Sequence, residues 1–306
     1  MFRLRFIFLA LCASLFAVAQ EPSAPPPPDP NAGVGPAISQ PGISPIAHMN
    51  VPYLSIGGHD SLLDVYEQPN RRVKHPVLLY FHGGGWWRNH RPTNYHPFQS
   101  FLDMGFSVVN VEYRLTPDAP APAAVQDARC ALAWVKKSRR QFHFDDSRVV
   151  VYGTSSGGHL ALMAGMLPRP SDLDLPQCRD LPKVAAILDF YGIADVDELL
   201  AGPHMRSWAN RWVGDGANRE EFARKLSPLS HVNPKDPPTF IVHGDSDPTV
   251  PYSQSLRLEA AMKKEGVPVQ LYTVKAGLHG KFSEDQLHDI FQAIRAFLSS
   301  QRILKR

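Results

Sequence analysis

The chain has 306 residues, 43% hydrophobic and 20% charged, enough for one large domain or two small ones that need no disulfide or metal to fold. Its formal charge of +3 comes from 32 basic and 29 acidic residues. That balance argues against a polyanionic partner, and no stretch resembles a basic nucleic-acid-binding face.

Residues 1–19 run from Arg3 and Arg5 through an apolar core to Ala17-Val18-Ala19. This is the order of a secretory signal peptide, with cleavage expected after Ala19. The apolar run is too short for a membrane span. The expectation is therefore an exported protein, periplasmic or secreted, with no stable membrane insertion after cleavage. Cys12 follows Leu11, which is too bulky for a lipoprotein site. Cleavage would remove two arginines and no acid, leaving a charge near +1 from 30 basic and 29 acidic residues. Residues 20–47 are rich in Pro, Gly and Ala and read as an extended linker, with the folded domain expected over 48–306 and folded character near Val51.

VPYLSI and SLLDVYE flank Gly57-Gly58, a hairpin signal. PVLLYFH (76–82), GFSVVNVEY (105–113), RVVVYG (148–153), VAAILDFYG (184–192), PTFIVHG (238–244) and VQLYTV (269–274) are strand-like runs, several of them continuously apolar. Helical spacing occupies 122–140, 157–167, 252–265 and 283–299. Apolar strands alternating with helices imply an α/β fold on a mainly parallel sheet, with the hairpin adding antiparallel strands at one edge. Residues 193–236 break the rhythm and read as a lid-like insertion above the sheet, with one helix near Arg219–Lys225.

The chemistry concentrates in VVVYGTSSGGHLALM (149–163). Gly153-Thr154-Ser155-Ser156-Gly157 matches G-x-S-x-G between a strand and a helix, the context of a nucleophile elbow. Glycines two residues either side give a sharp turn the room it needs. Only Ser155 has glycine at both positions, because Thr154 stands two residues before Ser156. Without a nucleophile, the same residues would be a tight turn with a helix-capping serine.

A serine nucleophile requires a base, an acid to orient it and donors for the oxyanion. HGGGW (82–86) follows a strand, and its glycines leave backbone N–H groups unobstructed. Gly83, Gly84 and the N–H of Ser156 are the candidate oxyanion donors, with His82 bracing the loop. HGDSDPTVP (243–251) offers Asp245 and Asp247. Asp247, in the loop before Pro248, is the expected acid, and Asp245 a brace for the turn. Of 13 histidines, His279 in KAGLHGK follows the last strand and precedes a helix, which makes it the expected base. His159 and His243 read as packing or scaffold residues, and His231 as a remote contender. The order Ser155, Asp247, His279 is that of the α/β-hydrolases.

HGGGW, VEYRLTPDAPAPAAVQDARCALAWV, VVVYGTSSGGHLAL, SPLSHVNPKDPPTFIVHGDSDPTVP and GLHG together resemble the hormone-sensitive-lipase-like carboxylesterases and the feruloyl and acetyl-xylan esterase-like group, over roughly residues 50–300. The resemblance implies an α/β-hydrolase fold with a mostly parallel eight-stranded sheet flanked by helices. It also implies Ser155, Asp247 and His279 as the triad, the HGGG loop as the oxyanion hole, and Tyr113-Arg114-Leu115 with Asp127 as supports beneath the site. Two departures stand out: serine in GTSSGG where an acidic residue or alanine is more usual beside the nucleophile, and no aromatic directly after the glycine of GLHGK.

These residues point to ester hydrolysis through an acyl-enzyme, with no metal and no cofactor. Trp86, Trp87, Trp208 and Trp212 are candidates for lining the substrate pocket, with core packing as the alternative. The expected substrate is a short-chain, aryl or carbohydrate ester, extending to acylated polysaccharide. A serine exopeptidase or an arylformamidase would use the same fold and triad, while a non-catalytic binding protein would normally have lost a triad residue. Cys130 and Cys178 can pair in an exported chain, but Cys130 sits in the helical pattern CALAWV and is expected to be a small core residue.

Overall fold

The computed structural model describes residues 42–304 apart from Pro117. The expected signal peptide and most of the proline-rich stretch lie outside these residues. The folded unit begins earlier than expected. Strand β1 spans Ile46–Ile56, and Ile43 is already tied to the domain. Its N–H donates to Asp103 Oδ1 at 3.0 Å, and its carbonyl accepts from Gln99 Nε2 at 3.1 Å. Register shifts on either side of Val51, beside the positive φ of Asn50 (55°), interrupt the alternation that would mark this strand in sequence.

β1 and β2 (His59–Glu67) form the expected antiparallel hairpin. β3 (His75–Phe81), β4 (Ser107–Val111), β5 (Phe144–Thr154), β6 (Val184–Phe190), β7 (Thr239–Gly244) and β8 (Val269–Val274) follow. The eight strands lie in the order β1-β2-β4-β3-β5-β6-β7-β8. β2 joins β4 antiparallel, and every pairing from β4 to β8 is parallel.

Alternation along the strands builds a core on each face. On one face Val77, Leu79, Phe81, Val149 and Val151 pack with residues of α2 (Ala123–Ser138), α3 (Ser156–Met166) and α6 (Ser253–Lys264). On the other, Leu78, Tyr80, Val150 and Tyr152 pack with α1 (Gln99–Asp103) and α7 (Glu284–Ser300). Every residue of α3 is buried, so this helix carries no polar stripe. α7 is amphipathic and starts with a capping box between Ser283 and Gln286.

Residues 193–236 contain α4 (Ser207–Val213) and α5 (Arg219–Lys225). They pack into the α2/α3 core through Ile193, Val196, Leu199, Ala209, Trp212 and Leu226. The loop after α3 is fastened to α2 twice. Arg129, fully buried, pairs through Nε and Nη2 with Asp174 at 2.7 and 2.9 Å, and caps the Ala164, Leu167 and Pro168 carbonyls. Cys130 is not a free core thiol, contrary to expectation. It forms a disulfide with Cys178, with Cα atoms 4.8 Å apart. The helical apolar pattern around Cys130 describes its helix correctly but says nothing of the loop that returns to it.

Candidate active site

The carboxyl ends of β3, β5, β7 and β8 converge on one place. Ser155 lies between β5 and α3 with φ 56° and ψ −122°, a strained conformation for a residue with a side chain. Its neighbours force the turn. A Cβ on Gly153 would lie 2.0 Å from the Gly157 carbonyl oxygen, and one on Gly157 would lie 2.0 Å from that of Phe81. The Ser155 N–H donates to the Phe190 carbonyl at 2.9 Å, locking the turn onto β6.

His279 Nε2 lies 2.9 Å from Ser155 Oγ, and its Nδ1 lies 2.6 Å from Asp247 Oδ2. Asp247 Oδ1 accepts from the N–H groups of Thr249 and Val250 at 2.7 and 3.0 Å. Burial works to raise the Asp247 carboxyl, but hydrogen bonds from His243 and His279 outweigh it and hold the group well below the usual carboxylate range. The two loops are zipped together. Asp245 N–H donates to Val274 O, Ser246 N–H donates to Gly277 O, and Asp245 Oδ1 accepts from Ala276 N–H at 2.7 Å. Asp245 therefore braces the turn that carries His279, while Asp247 faces the imidazole.

His243 has a larger role here than its sequence position indicates. It is fully buried, and its Nε2 lies 3.2 Å from both Val250 O and Asp247 Oδ2. A carbonyl only accepts, so Nε2 carries the proton. His243 Nδ1 lies 2.7 Å from the Ser255 hydroxyl, which fixes the ring from the other side. Asp247 Oδ2 thus sits between two histidines. Tyr191, with φ 43°, places its buried ring 4.7 Å from that of His279, edge to face. Sequence reasoning missed Tyr191. Its one signal is its place immediately after β6.

The HGGG loop lies against the serine. A Cβ on Gly83 would come within 3.3 Å of Ser155 Cβ. Gly84 has φ 130°, which only glycine adopts readily. The Ser156 N–H, at the first position of α3, has no acceptor within the helix. The Tyr113 hydroxyl donates to the His82 carbonyl at 2.8 Å, and its ring stacks on His82 at 4.3 Å. Arg114 pairs with buried Asp127 through Nε and Nη2, and its N–H also donates to Asp127. Tyr113, Arg114 and Asp127 thus carry the loop from below.

The four tryptophans divide. Trp86 and Trp212 are fully buried and stacked on each other at 3.9 Å, with His159 edge-on to both. They belong to the core cluster, contrary to the expectation that they line the substrate pocket, because each ring is enclosed by the other and by His159. Trp87 and Trp208 are half-buried and flank Gly85, 3.2 and 3.3 Å from where its Cβ would be. His159 donates to Leu226 O and, by burial, has its imidazolium pushed down to about 4. His231 bonds Lys225 O and takes no part in the serine–histidine–aspartate chain. A cavity of about 530 Å³ between Asp197 and Arg224 contains none of the candidate site residues.

The BD-FAE family model matches residues 63–262. Esterase LipQ of Mycobacterium tuberculosis is 28% identical over 244 residues, covering 76% of this chain and 56% of LipQ. Probable carboxylic ester hydrolase LipM of the same organism is 30% identical over 206 residues, covering 65% of this chain and 48% of LipM. The chain thus spans about half the length of these relatives. Among solved structures, a truncated carbohydrate esterase from gut microbiota superposes with a TM-score of 0.70 at 25% identity, covering 87% of this chain and 99% of that one. Thermogutta terrifontis esterase 2 phosphonylated by sarin gives a TM-score of 0.73 at 22% identity, over 86% and 98% of the two chains, a likeness of fold.

Proposed function

The chain belongs to the BD-FAE family and has the α/β-hydrolase fold, and from this premise we propose that it is a serine carboxylesterase working through an acyl-enzyme on Ser155. The observation that carries the reading is the continuous Ser155–His279–Asp247 chain, with contacts of 2.9 and 2.6 Å, on a strained elbow. Ser155 Oγ attacks the ester carbonyl carbon while its proton passes to His279 Nε2. Asp247 holds the imidazole with Nδ1–H toward itself and stabilises the imidazolium that forms. The carbonyl electron pair moves onto oxygen, where the N–H groups of Gly83, Gly84 and Ser156 receive it; losing one such donor costs about 10²–10³ in turnover. The intermediate collapses, the alcohol leaves with the proton from His279, and water repeats the sequence to release the acid and regenerate the serine.

Short-chain, aryl and carbohydrate esters, including acylated polysaccharide, are the proposed substrates. Trp87 and Trp208 beside the oxyanion loop, and the carbohydrate esterase among the structural neighbours, support this. Export is likewise proposed, supported by the signal-like order of residues 1–19 and by a disulfide suited to an oxidising compartment. The test is a panel of p-nitrophenyl esters from acetate to palmitate, with methyl ferulate and acetylated xylan. Turnover is expected to peak at short acyl chains and to vanish in Ser155→Ala; a preference for palmitate would contradict the substrate reading.

A further inference from the structure

Beside the oxyanion loop, two guanidinium groups share one indole. The Arg88 Cζ lies 5.3 Å from the Trp87 ring centre, and the Arg211 Cζ, brought by α4, lies 5.1 Å from it. Both are cation–π distances. The loop is short and folded tightly. The N–H groups of Trp87 and Arg88 both donate to the Gly84 carbonyl at 3.3 Å, and Trp87 covers Gly85, two residues from the glycine that touches Ser155. Arg88 thus belongs to the same tight loop as Gly83 and Gly84, and α4 brings Arg211 to the indole beside it.

Among the described residues neither Arg88 nor Arg211 forms an ion pair, and Arg88 Nε is buried without an acceptor. Arg206, on the same insertion, gives its guanidinium N–H groups to the Met205, Pro248 and Thr249 carbonyls and to no carboxylate. Lys281, two residues after His279, is exposed and makes no ion pair among the described residues. An indole face attracts a cation but neutralises none of its charge, and two like charges on one ring repel. Arginine's planar fork suits a carboxylate, which it binds through two parallel hydrogen bonds.

We propose that Trp87, Arg88 and Arg211 form a subsite for a carboxylate carried by the ester substrate, so that the preferred substrates are esters whose alcohol or acyl part is acidic, such as an acylated uronic-acid sugar. This rests on the carboxylesterase reading of the same site. The carboxylate would be held by the guanidinium groups gathered at the Trp87 indole, with the ester carbonyl directed toward Ser155.

The test compares 4-acetoxybenzoate with its neutral methyl ester at low ionic strength. The ratio of their kcat/KM values is expected to fall about three- to fivefold in Arg88→Gln and in Arg211→Gln. It is also expected to fall in the unmodified protein as salt rises. A ratio unchanged by both substitutions and by salt overturns the proposal. Calorimetry of Ser155→Ala protein with 4-acetamidobenzoate and its methyl ester reads the subsite without turnover. Equal affinity for the two overturns the subsite even where esters are hydrolysed. Tighter binding of the carboxylate, lost in Arg211→Gln, supports it even where neither ester is hydrolysed, an outcome that counts only against the hydrolase reading.

Discussion

Replacing His243 by Phe keeps a buried aromatic ring against Tyr252 and removes one hydrogen-bond donor from Asp247. In the native site that donor is Nε2–H, 3.2 Å from Oδ2 and shared with the Val250 carbonyl. A hydrogen bond to a charged group contributes about 1.5–3 kcal/mol, and the length and sharing of this one place it at the low end, about one pKa unit. Asp247 stays ionised without it, because the Thr249 and Val250 N–H groups still serve Oδ1. With one donor fewer, the carboxylate presents more negative charge to His279 and stabilises its imidazolium. The acid limb of the kcat/KM profile, which reports the free enzyme's base, should therefore move to higher pH. His243→Gln, whose amide N–H reaches toward the same oxygen, should move it less. Ser255→Ala removes the hydroxyl that pins Nδ1 at 2.7 Å, and should produce a smaller shift in the same direction. The assay is kcat/KM for p-nitrophenyl acetate across pH, with thermal melting to confirm folding. An unchanged acid limb in folded His243→Phe and Ser255→Ala would refute the positioning role and return His243 to the scaffold.

Three further outcomes follow from the packing. Replacing Cys130 and Cys178 together by Ala opens a link across 48 residues, and should lower stability to denaturant by about 2–4 kcal/mol, read from urea melts. Burial raises the Asp189 carboxyl to about 7, and its Oδ2 has no hydrogen-bond partner among the described residues. The unfolded carboxyl ionises near pH ~4, so from there to about 7 the native state holds a proton that the unfolded state lacks. Stability contributed by this group should fall as pH rises through that window, by up to about 4 kcal/mol, and Asp189→Asn should flatten that part of the stability profile. Gly157→Ala would drive a methyl into the Phe81 carbonyl and is expected to abolish soluble folded protein, judged by circular dichroism and expression yield.

What could be read from the sequence was the part written in local pattern. Continuous apolar runs such as VVVY and LLYF are buried on both faces of a parallel sheet, and they locate β5 and β3. Glycine spacing around Ser155 marks the elbow because the close approaches of Gly153 and Gly157 exclude a side chain. The element order then puts Asp247 and His279 in loops at the same edge. What escaped was decided by contacts distant in sequence. α1 and α4, of 5 and 7 residues, are too short to show a period. The Cys130–Cys178 bond depends on how the loop after α3 returns to α2, and composition around Cys130 does not record that. Trp86 and Trp87 are adjacent and alike in sequence, yet one enters the core and its neighbour stays half-buried. His243 reads in sequence as the end of a strand, and it does lie at the end of β7. Its bond to Asp247 depends on the turn through Pro248, which folds the loop back over the strand end.

The proposed mechanism turns on the acylation of Ser155. Incubation with a fluorophosphonate, followed by peptide mass spectrometry, tests it most directly. One adduct per chain is expected, on Ser155 and not on Ser156, with ester hydrolysis lost in step, while Ser155→Ala protein takes no label and hydrolyses no ester. Modification at another residue, or hydrolysis that persists once Ser155 is fully labelled, would contradict it.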